Sequence, residues 1–552
     1  MRVSTAVVDR LAESGIEAVF GIPGKQTLPL NEAIGGRDDV RFVMARHETA
    51  VSHQAWGYAE TSGKTAATVV VPGPGDMNAM NGLKNAYNDC TPLVHIAVET
   101  EPEIRGGEGI HETPPDTYDN VVKENVLVER PEGAIAALEE AIAIAETAPT
   151  GPVRVGIPKN FLGKDVAVAE PPKFSRDGPS GAAEGDVAAA ADLLADADEP
   201  VVIAGGGVRS ADASVDLEAV ATRLDAPVVT TYKGKGTIPA DHPLSAGTLS
   251  GSAPPALLSL LADADAALAV GTNFDAVATR AWSVEVPDEL VHVTLDPDDL
   301  GTGYEPAVSL LADAADALPA LGEALAERDV SGPTGPDETP GIRRARAVRD
   351  DFADRVVELQ VTDAPLTSVT ALETVRDVLP RDTVVAADAG GFRVWGLNAF
   401  PAYGPRSYVN PGSWATMGTG LPSGIGAQVA NPDDDVVVLT GDGGFMMCIH
   451  EIHTAVAEAL PLTIVVFRNE DYAIISEEAE RSYALAESAY GWPDAPIDFV
   501  AMAESMGMTA TRAEGRDAVA EAVSEAVSTD EPVLVEVPTD PHEPQASEWL
   551  AT

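Results

Sequence analysis

The chain has 552 residues, 45% of them hydrophobic, and a formal net charge of −53 from 88 acidic and 35 basic side chains. That length exceeds one hydrophobic core and suits roughly three domains of ~150–190 residues. The acidic excess excludes nucleic acid and anionic membranes as partners, because their phosphates need cations. No apolar run reaches the ~20 residues of a membrane span. The N-terminus, MRVSTAVVDRLAESG, lacks the basic and apolar regions of a signal peptide, so a cytoplasmic location is expected. Two cysteines, Cys90 and Cys448, are too few for a disulfide framework. High charge often means disorder, but the hydrophobic content and periodic segments argue instead for folded domains with a solvated acidic surface of the kind halophiles use.

Taken in chain order, three α/β blocks emerge. The first, residues 1–165, has strands at 18–21, 41–44, 65–71, 93–98 and 152–156, with a helix over 50–61. A Pro/Gly/Ser-rich stretch at 170–184 reads as a linker. The second block, 185–327, has strands at 200–204, 227–230, 266–270 and 290–294, and a second linker follows at 328–339. The third block runs over 340–540, and the polar residues beyond Pro538 read as a mobile tail. Short β-rich runs alternating with helices imply three doubly wound parallel sheets with helices on both faces.

The most informative segment is VVVLTGDGGFMMCIHEIHTAVAEALPLTIVVFRNED, residues 436–471. It reads as strand, tight turn, helix, strand and polar loop. A helical crossover sets the two strands side by side, so Asp442 and Asn469, 27 residues apart, open at one sheet edge. Their oxygens suit Mg²⁺, which takes few protein ligands besides phosphate. The amides of Gly441, Gly443 and Gly444 and the helix start can face a diphosphate. Glu48, where a helix begins just after a strand, reads from the residues alone first as a helix cap or dipole partner.

The 436–471 segment resembles the diphosphate-and-metal motif of thiamin diphosphate (ThDP) enzymes. GIPG, RHE, GYAETSGK, PGPGDMN and GLKNAYNDCTPL resemble, in that order, the pyrimidine-binding domain of the acetolactate synthase branch of the family. ADAGGFRVW and GSWATMGTGLPSGIGAQ resemble its diphosphate domain, and VVIAGGGVRSADA with HVTLDP resembles its central domain. The resemblance implies that Glu48 touches the aminopyrimidine as the catalytic carboxyl, in a poorly solvated setting. It implies cofactor contacts from Pro23, Gly24, Asn78, Gly390 and Gly391, with the Ala415 carbonyl on the 4′-amino group and Met417 propping the bent cofactor. Asp442, Asn469 and the Asp471 carbonyl become the metal ligands. FAD, which acetolactate synthases often carry, is not favoured: Gly205–Gly207 is not GxGxxG, and FDAVATR replaces the FDDR-type segment.

The family builds each site between two subunits, so a homodimer or homotetramer is expected. The implied function is decarboxylation of a 2-oxo acid with carboligation, pyruvate to acetolactate. The alternatives are a non-ligating decarboxylase of the benzoylformate or indolepyruvate type and a cofactor-binding, non-catalytic partner subunit. Substrate positions depart from the branch: Ile110-His111-Glu112 replaces FQE, and DYAIISEEAERSYALAE replaces the segment with a substrate-facing Trp; beside the metal-binding Asn469, Arg468 replaces an Asn that is not itself a metal ligand. His111 is the candidate proton donor near the substrate, against the plainer reading of a surface loop histidine. Ile474 and Ile475 are candidate apolar lining of the substrate pocket.

Overall fold

The computed structural model describes residues 1–107, 109–167, 181–332, 338–486 and 490–550. Among these residues are three six-stranded sheets, parallel throughout. The first contains β1 (Ala18–Gly21), β2 (Arg41–Met44), β3 (Ala66–Val70), β4 (Leu93–Glu99), β5 (Glu124–Leu127) and β6 (Pro152–Pro158), in the order β2-β1-β3-β4-β6-β5. The second contains β7 (Pro200–Ala204), β8 (Val228–Thr231), β9 (Ser245–Leu249), β10 (Ala266–Val270), β11 (Leu290–Thr294) and β12 (Val308–Leu311), in the order β12-β11-β10-β7-β8-β9. The third contains β13 (Val384–Ala387), β14 (Tyr408–Val409), β15 (Val436–Gly441), β16 (Leu462–Arg468), β17 (Thr509–Arg512) and β18 (Val533–Pro538), in the order β14-β13-β15-β16-β18-β17.

Inner strands such as β7 and β10 are buried at every residue, as near-continuous Val/Ile/Ala runs require when helices cover both faces. In the first two sheets the strands that the sequence pattern does not single out, β5, β9 and β12, all lie at sheet edges; in the third, β13, β14, β17 and β18 are likewise not singled out, and β13 and β18 are inner strands. Edge strands β5 and β12 are half-exposed and carry polar residues. No helix among the described residues is long and apolar enough to cross a membrane.

The Glu48–Ser62 helix is wedged between the first sheet and the third domain, and is buried from Ala50 to Thr61. It crosses the Gly420–Ala430 helix where side chains vanish: a Cβ on Gly426 would lie 1.9 Å from the Gln54 carbonyl oxygen, and one on Gly57 would lie 2.2 Å from the Ser423 oxygen. The central domain joins this junction through Lys233, whose Nζ donates to Glu60 at 2.8 Å, Asp89 at 2.9 Å and the Asn410 carbonyl at 3.2 Å. Most of the 170–184 linker and residues 333–337 of the second lie outside the described residues.

The expected tail is a correction. Beyond β18 the chain docks on its own domain, with Ala546 and Leu550 buried, and the Trp549 indole donates to the Arg355 carbonyl. Glu543 accepts hydrogen bonds from the Ser368 N–H and hydroxyl, and burial pushes its pKa up to about 7. A few anchors spaced along PHEPQASEWL leave no apolar period to read.

Candidate active site at two sheet edges

Asp442 follows β15 and opens the short Asp442–Met446 helix. Its carboxylate is almost fully buried. Oδ1 accepts the Gly443 N–H at 2.8 Å, and Oδ2 accepts the N–H groups of Glu470 at 2.7 Å and Asn469 at 3.2 Å. Among the described residues no Lys, Arg or His pairs with it. Burial lifts its pKa to about 6, backbone N–H groups oppose the rise, and the Glu470 charge adds to it. A buried acceptor with no cation is a fit for a hard divalent ion. Asn469, just past β16, accepts the Asp471 N–H on Oδ1 at 3.1 Å, and Asp471 is itself buried and accepts the Ser476 hydroxyl at 2.6 Å. No group of three His, Cys, Asp or Glu side chains among the described residues suits a metal. The oxygen set of one carboxylate, one amide and one carbonyl is of another kind.

The glycines of this edge are sites of close approach. A Cβ on Gly443 would lie 2.5 Å from the Tyr472 ring and 3.4 Å from the Met417 methyl, so Met417 does sit over the GDGG turn. Gly391 faces Ile474 and Gln545, and Gly390 holds φ 156 at the start of the Gly391–Ala399 helix. Ala415 takes φ 45, in the left-handed region, and its N–H is bound to the Gly412 carbonyl at 3.1 Å.

Sequence reasoning missed Asp388. This fully buried carboxylate accepts from the N–H groups of Ala389, Gly418 and Thr419 at 2.8–3.1 Å and from the hydroxyls of Thr419 at 3.1 Å and Thr440 at 3.0 Å. It ties the end of β13 to the Met417 loop and to β15. Burial raises its pKa even against these donors. The available signal was an Asp at a strand end directly before Ala-Gly-Gly. Glu451 was missed as well. Its Oε1 accepts the N–H groups of Arg46 at 2.9 Å and His47 at 3.1 Å, so the third domain grips the residues that lead into Glu48.

Glu48 lies at the carboxyl edge of the first sheet. Its Oε2 accepts from Asn78 Nδ2 at 3.1 Å, and a Cβ on Gly75 would lie 3.1 Å from its Oε1. Gly24, after β1, packs so tightly on Val71 that a Cβ there would fall 2.2 Å from Cγ1, which sets Pro23 and Gly24 on the same edge. His111 stands beside them: its backbone lies against Gly73, where a Cβ would be 2.7 Å from the His111 oxygen, and its φ is 64. The His111 side chain is exposed, and neighbouring Glu112 accepts the N–H groups of Gly106 and Gly109, bracing its own loop.

Thus the predicted residues gather into two sets, not one. Among the described residues no hydrogen bond or ion pair joins Glu48, Asn78 or His111 to Asp442, Asn469, Asp471 or Met417. In the single chain Glu48 is half-buried, not withdrawn from water. Exposed apolar side chains border both sets: Met77 and Ile110 (70% exposed) at the first, Met447, Tyr472, Ile474 and Ile475 (55%) at the second.

Comparison with known proteins places these edges in context. Three family models match in order: thiamine pyrophosphate enzyme, N-terminal TPP binding domain, over residues 1–120; central domain, over 187–321; and C-terminal TPP binding domain, over 388–537. The chain is 29% identical to the probable acetolactate synthase large subunit of Methanocaldococcus jannaschii, over 98% of this chain and 93% of that protein. It is 29% identical to the acetolactate synthase large subunit of Corynebacterium glutamicum, over 97% and 86%. It is 34% identical to the probable 2-ketoarginine decarboxylase of Pseudomonas aeruginosa, over 86% and 83%.

Proposed function

The chain belongs to the thiamin diphosphate-dependent enzymes, and from that premise we infer an acetolactate synthase-like reaction, decarboxylation of a 2-oxo acid with carboligation. The observation that carries this reading is the run of relatives named acetolactate synthase large subunit that match 97–98% of the chain. The cofactor is ThDP, and bound it supplies the carbon nucleophile and the electron sink for loss of CO₂.

The chain's own residues supply the setting. Asp442, Asn469 and the Asp471 carbonyl are proposed to hold Mg²⁺, with the Gly441–Gly444 backbone beside the diphosphate. Glu48, kept in place by Asn78, is proposed to hold the proton exchanged with the aminopyrimidine at its carboxyl oxygen. Met417, above Gly443, would prop the cofactor, and the Ala415 carbonyl would receive its amino group. His111 donates a proton on the substrate side. A second copy of the chain would bring its Glu48 edge to the Asp442 edge of the first, covering both apolar borders and excluding water. FAD fits poorly. The cavity at the carboxyl ends of the central strands is about 290 Å³ and is lined by Asp275, Asp296, Asp299 and Asp313. Its cations Lys233 and Arg209 are already held by Glu60 and Asp89.

A second reading, release of an aldehyde without ligation, is favoured by His111-Glu112 in the substrate loop and by the 34% identity to a probable 2-ketoarginine decarboxylase. Product analysis with ThDP, Mg²⁺ and a panel of 2-oxo acids, pyruvate first, decides between the two. Acetolactate from pyruvate is the expected result. Aldehyde alone, from pyruvate or a guanidino 2-oxo acid, would replace the carboligase reading with the decarboxylase one.

A further inference from the structure

Beneath the Glu48–His111 edge lies a buried charged network that the proposed reaction does not use. Arg154 on β6 is 1% exposed and sits in register with His95 on β4, which in turn is opposite Thr68 on β3. The Arg154 guanidinium clamps Asp76 through Nε at 3.1 Å and Nη2 at 2.6 Å, pairs with Glu99 through Nη2, and donates to Asn125 through Nη1 at 3.0 Å. Its face lies 4.2 Å from the centre of the Tyr118 ring. His95 completes the set, with Nε2 2.9 Å from Asp76 and Nδ1 2.6 Å from the Thr68 hydroxyl.

The places these partners occupy matter more than their number. Glu99 is the last residue of β4 and Tyr118 closes the Pro115–Tyr118 turn, so Arg154 grips both ends of the loop that carries His111. Asp76 lies in the first turn of the Pro74–Asn88 helix, two residues before Asn78, the partner of Glu48. The N-cap of that helix, Gly73, is where the His111 backbone rests. A guanidinium presents its donors in a fixed plane, so its three anchor points cannot shift independently. The ion pair is strongly held: burial pushes the Asp76 carboxyl up, yet the His95 hydrogen bond and the Arg154 charge hold it down at about 2.

We propose that Arg154 is a positioning residue that locks the His111 loop and the Glu48–Asn78 pair into one rigid edge. It touches neither cofactor nor substrate. It fixes the distance between the cofactor-facing carboxyl and the substrate-facing imidazole, and so acts through them. This inference rests on the reaction proposed above.

The test uses the full chain loaded with ThDP and Mg²⁺. Glu99→Gln and Tyr118→Leu release the ends of the loop while leaving Arg154 its Asp76 partner, and Tyr118→Phe keeps the stacked ring. Hydrogen exchange over 100–118 should rise by about tenfold in the first two variants and stay at the wild-type rate in Tyr118→Phe. The same two variants should raise KM for the 2-oxo acid by about tenfold, with ThDP affinity within about twofold of wild type. Asp76→Asn, on the other arm, should lower kcat and leave KM unchanged. The proposal is overturned if exchange over 100–118 and KM are both unmoved by Glu99→Gln and Tyr118→Leu. It is equally overturned if exchange rises uniformly over all three sheets. Exchange needs no turnover, so a wild-type chain silent toward every 2-oxo acid would remove the reaction and leave this result readable.

Discussion

Asp442 is a buried carboxyl with backbone donors and no cation partner among the described residues, and its titration follows from that. An acid whose folded pKa lies above its unfolded value adds stability at low pH and gives it up as pH rises. With the folded value near 6, metal-free protein should lose about 3 kcal/mol between the ordinary carboxylate range and about pH 6. Binding runs the other way, since a divalent ion needs the carboxylate, so Mg²⁺ and ThDP retention should weaken as pH falls through about 6. Asp442→Asn should remove the stability change in thermal melts and fail to retain the cofactor by equilibrium dialysis; an unchanged melt profile in that variant would exclude Asp442 as the titrating group. Glu48→Gln should behave oppositely, keeping ThDP while turnover falls by about 10²–10⁴-fold. Wild-type turnover there would remove Glu48 from the chemistry. The Asp442–Asn469 pair was singled out by its spacing in a strand–helix–strand frame, whereas Glu48 by itself reads as a helix cap and was singled out only through the family resemblance of the motifs around it. Asp388 and Glu451 were not, since their donors come from segments far apart in sequence, and only the folded chain brings them together.

At the level of elements, the crossing of the Glu48–Ser62 and Gly420–Ala430 helices sets where Glu48 stands relative to the third domain. Backbones approach there because Gly57, Ser423 and Gly426 put almost nothing between them. Gly426→Ala would push a methyl into the Gln54 carbonyl and should destabilise the chain by about 1–3 kcal/mol, the usual cost of overpacking. Gly35→Ala, at a helical glycine with open space around it, is the control and should be near neutral in the same denaturant titration. Equal melts for the two would mean that the helices part at no cost. The inner strands of the first two sheets, with β15 and β16 of the third, were legible because burial on both faces demands long apolar runs, whereas β13 and β18 were not singled out. Edge strands β5 and β12 were not, because one free edge admits Glu, Asn and Ser, and the docked C-terminal segment was hidden by its polar composition. The helix predicted over 50–61 begins at Glu48 in the structure, since His47 Nδ1 accepts the Thr49 N–H and caps the turn there.

For the whole molecule the decisive fact is that no hydrogen bond or ion pair among the described residues joins Glu48, Asn78 or His111 to Asp442, Asn469, Asp471 or Met417, although Asn81 Nδ2 donates to the Thr416 hydroxyl at 3.1 Å. Each set, a half-site in the proposed reaction, is bordered by exposed apolar side chains, and each would supply what the other lacks: a proton-holding carboxyl from one, a cation- and diphosphate-binding edge from the other. A two-fold pairing of chains satisfies both at once, because an isologous interface brings each half-site to its complement twice. Mixing two inactive variants tests this directly. A dimer of one Glu48→Gln chain and one Asp442→Ala chain would contain one site with both lesions and one with neither. Random pairing puts half of all chains into such dimers, so co-refolded variants should recover about a quarter of wild-type turnover, though each is nearly dead alone. Sites completed within one chain would recover nothing, since every chain would carry a lesion in its own site. Recovery should also follow the dimer fraction on dilution, because separated chains leave Glu48 facing water and Asp442 without a carboxyl opposite it.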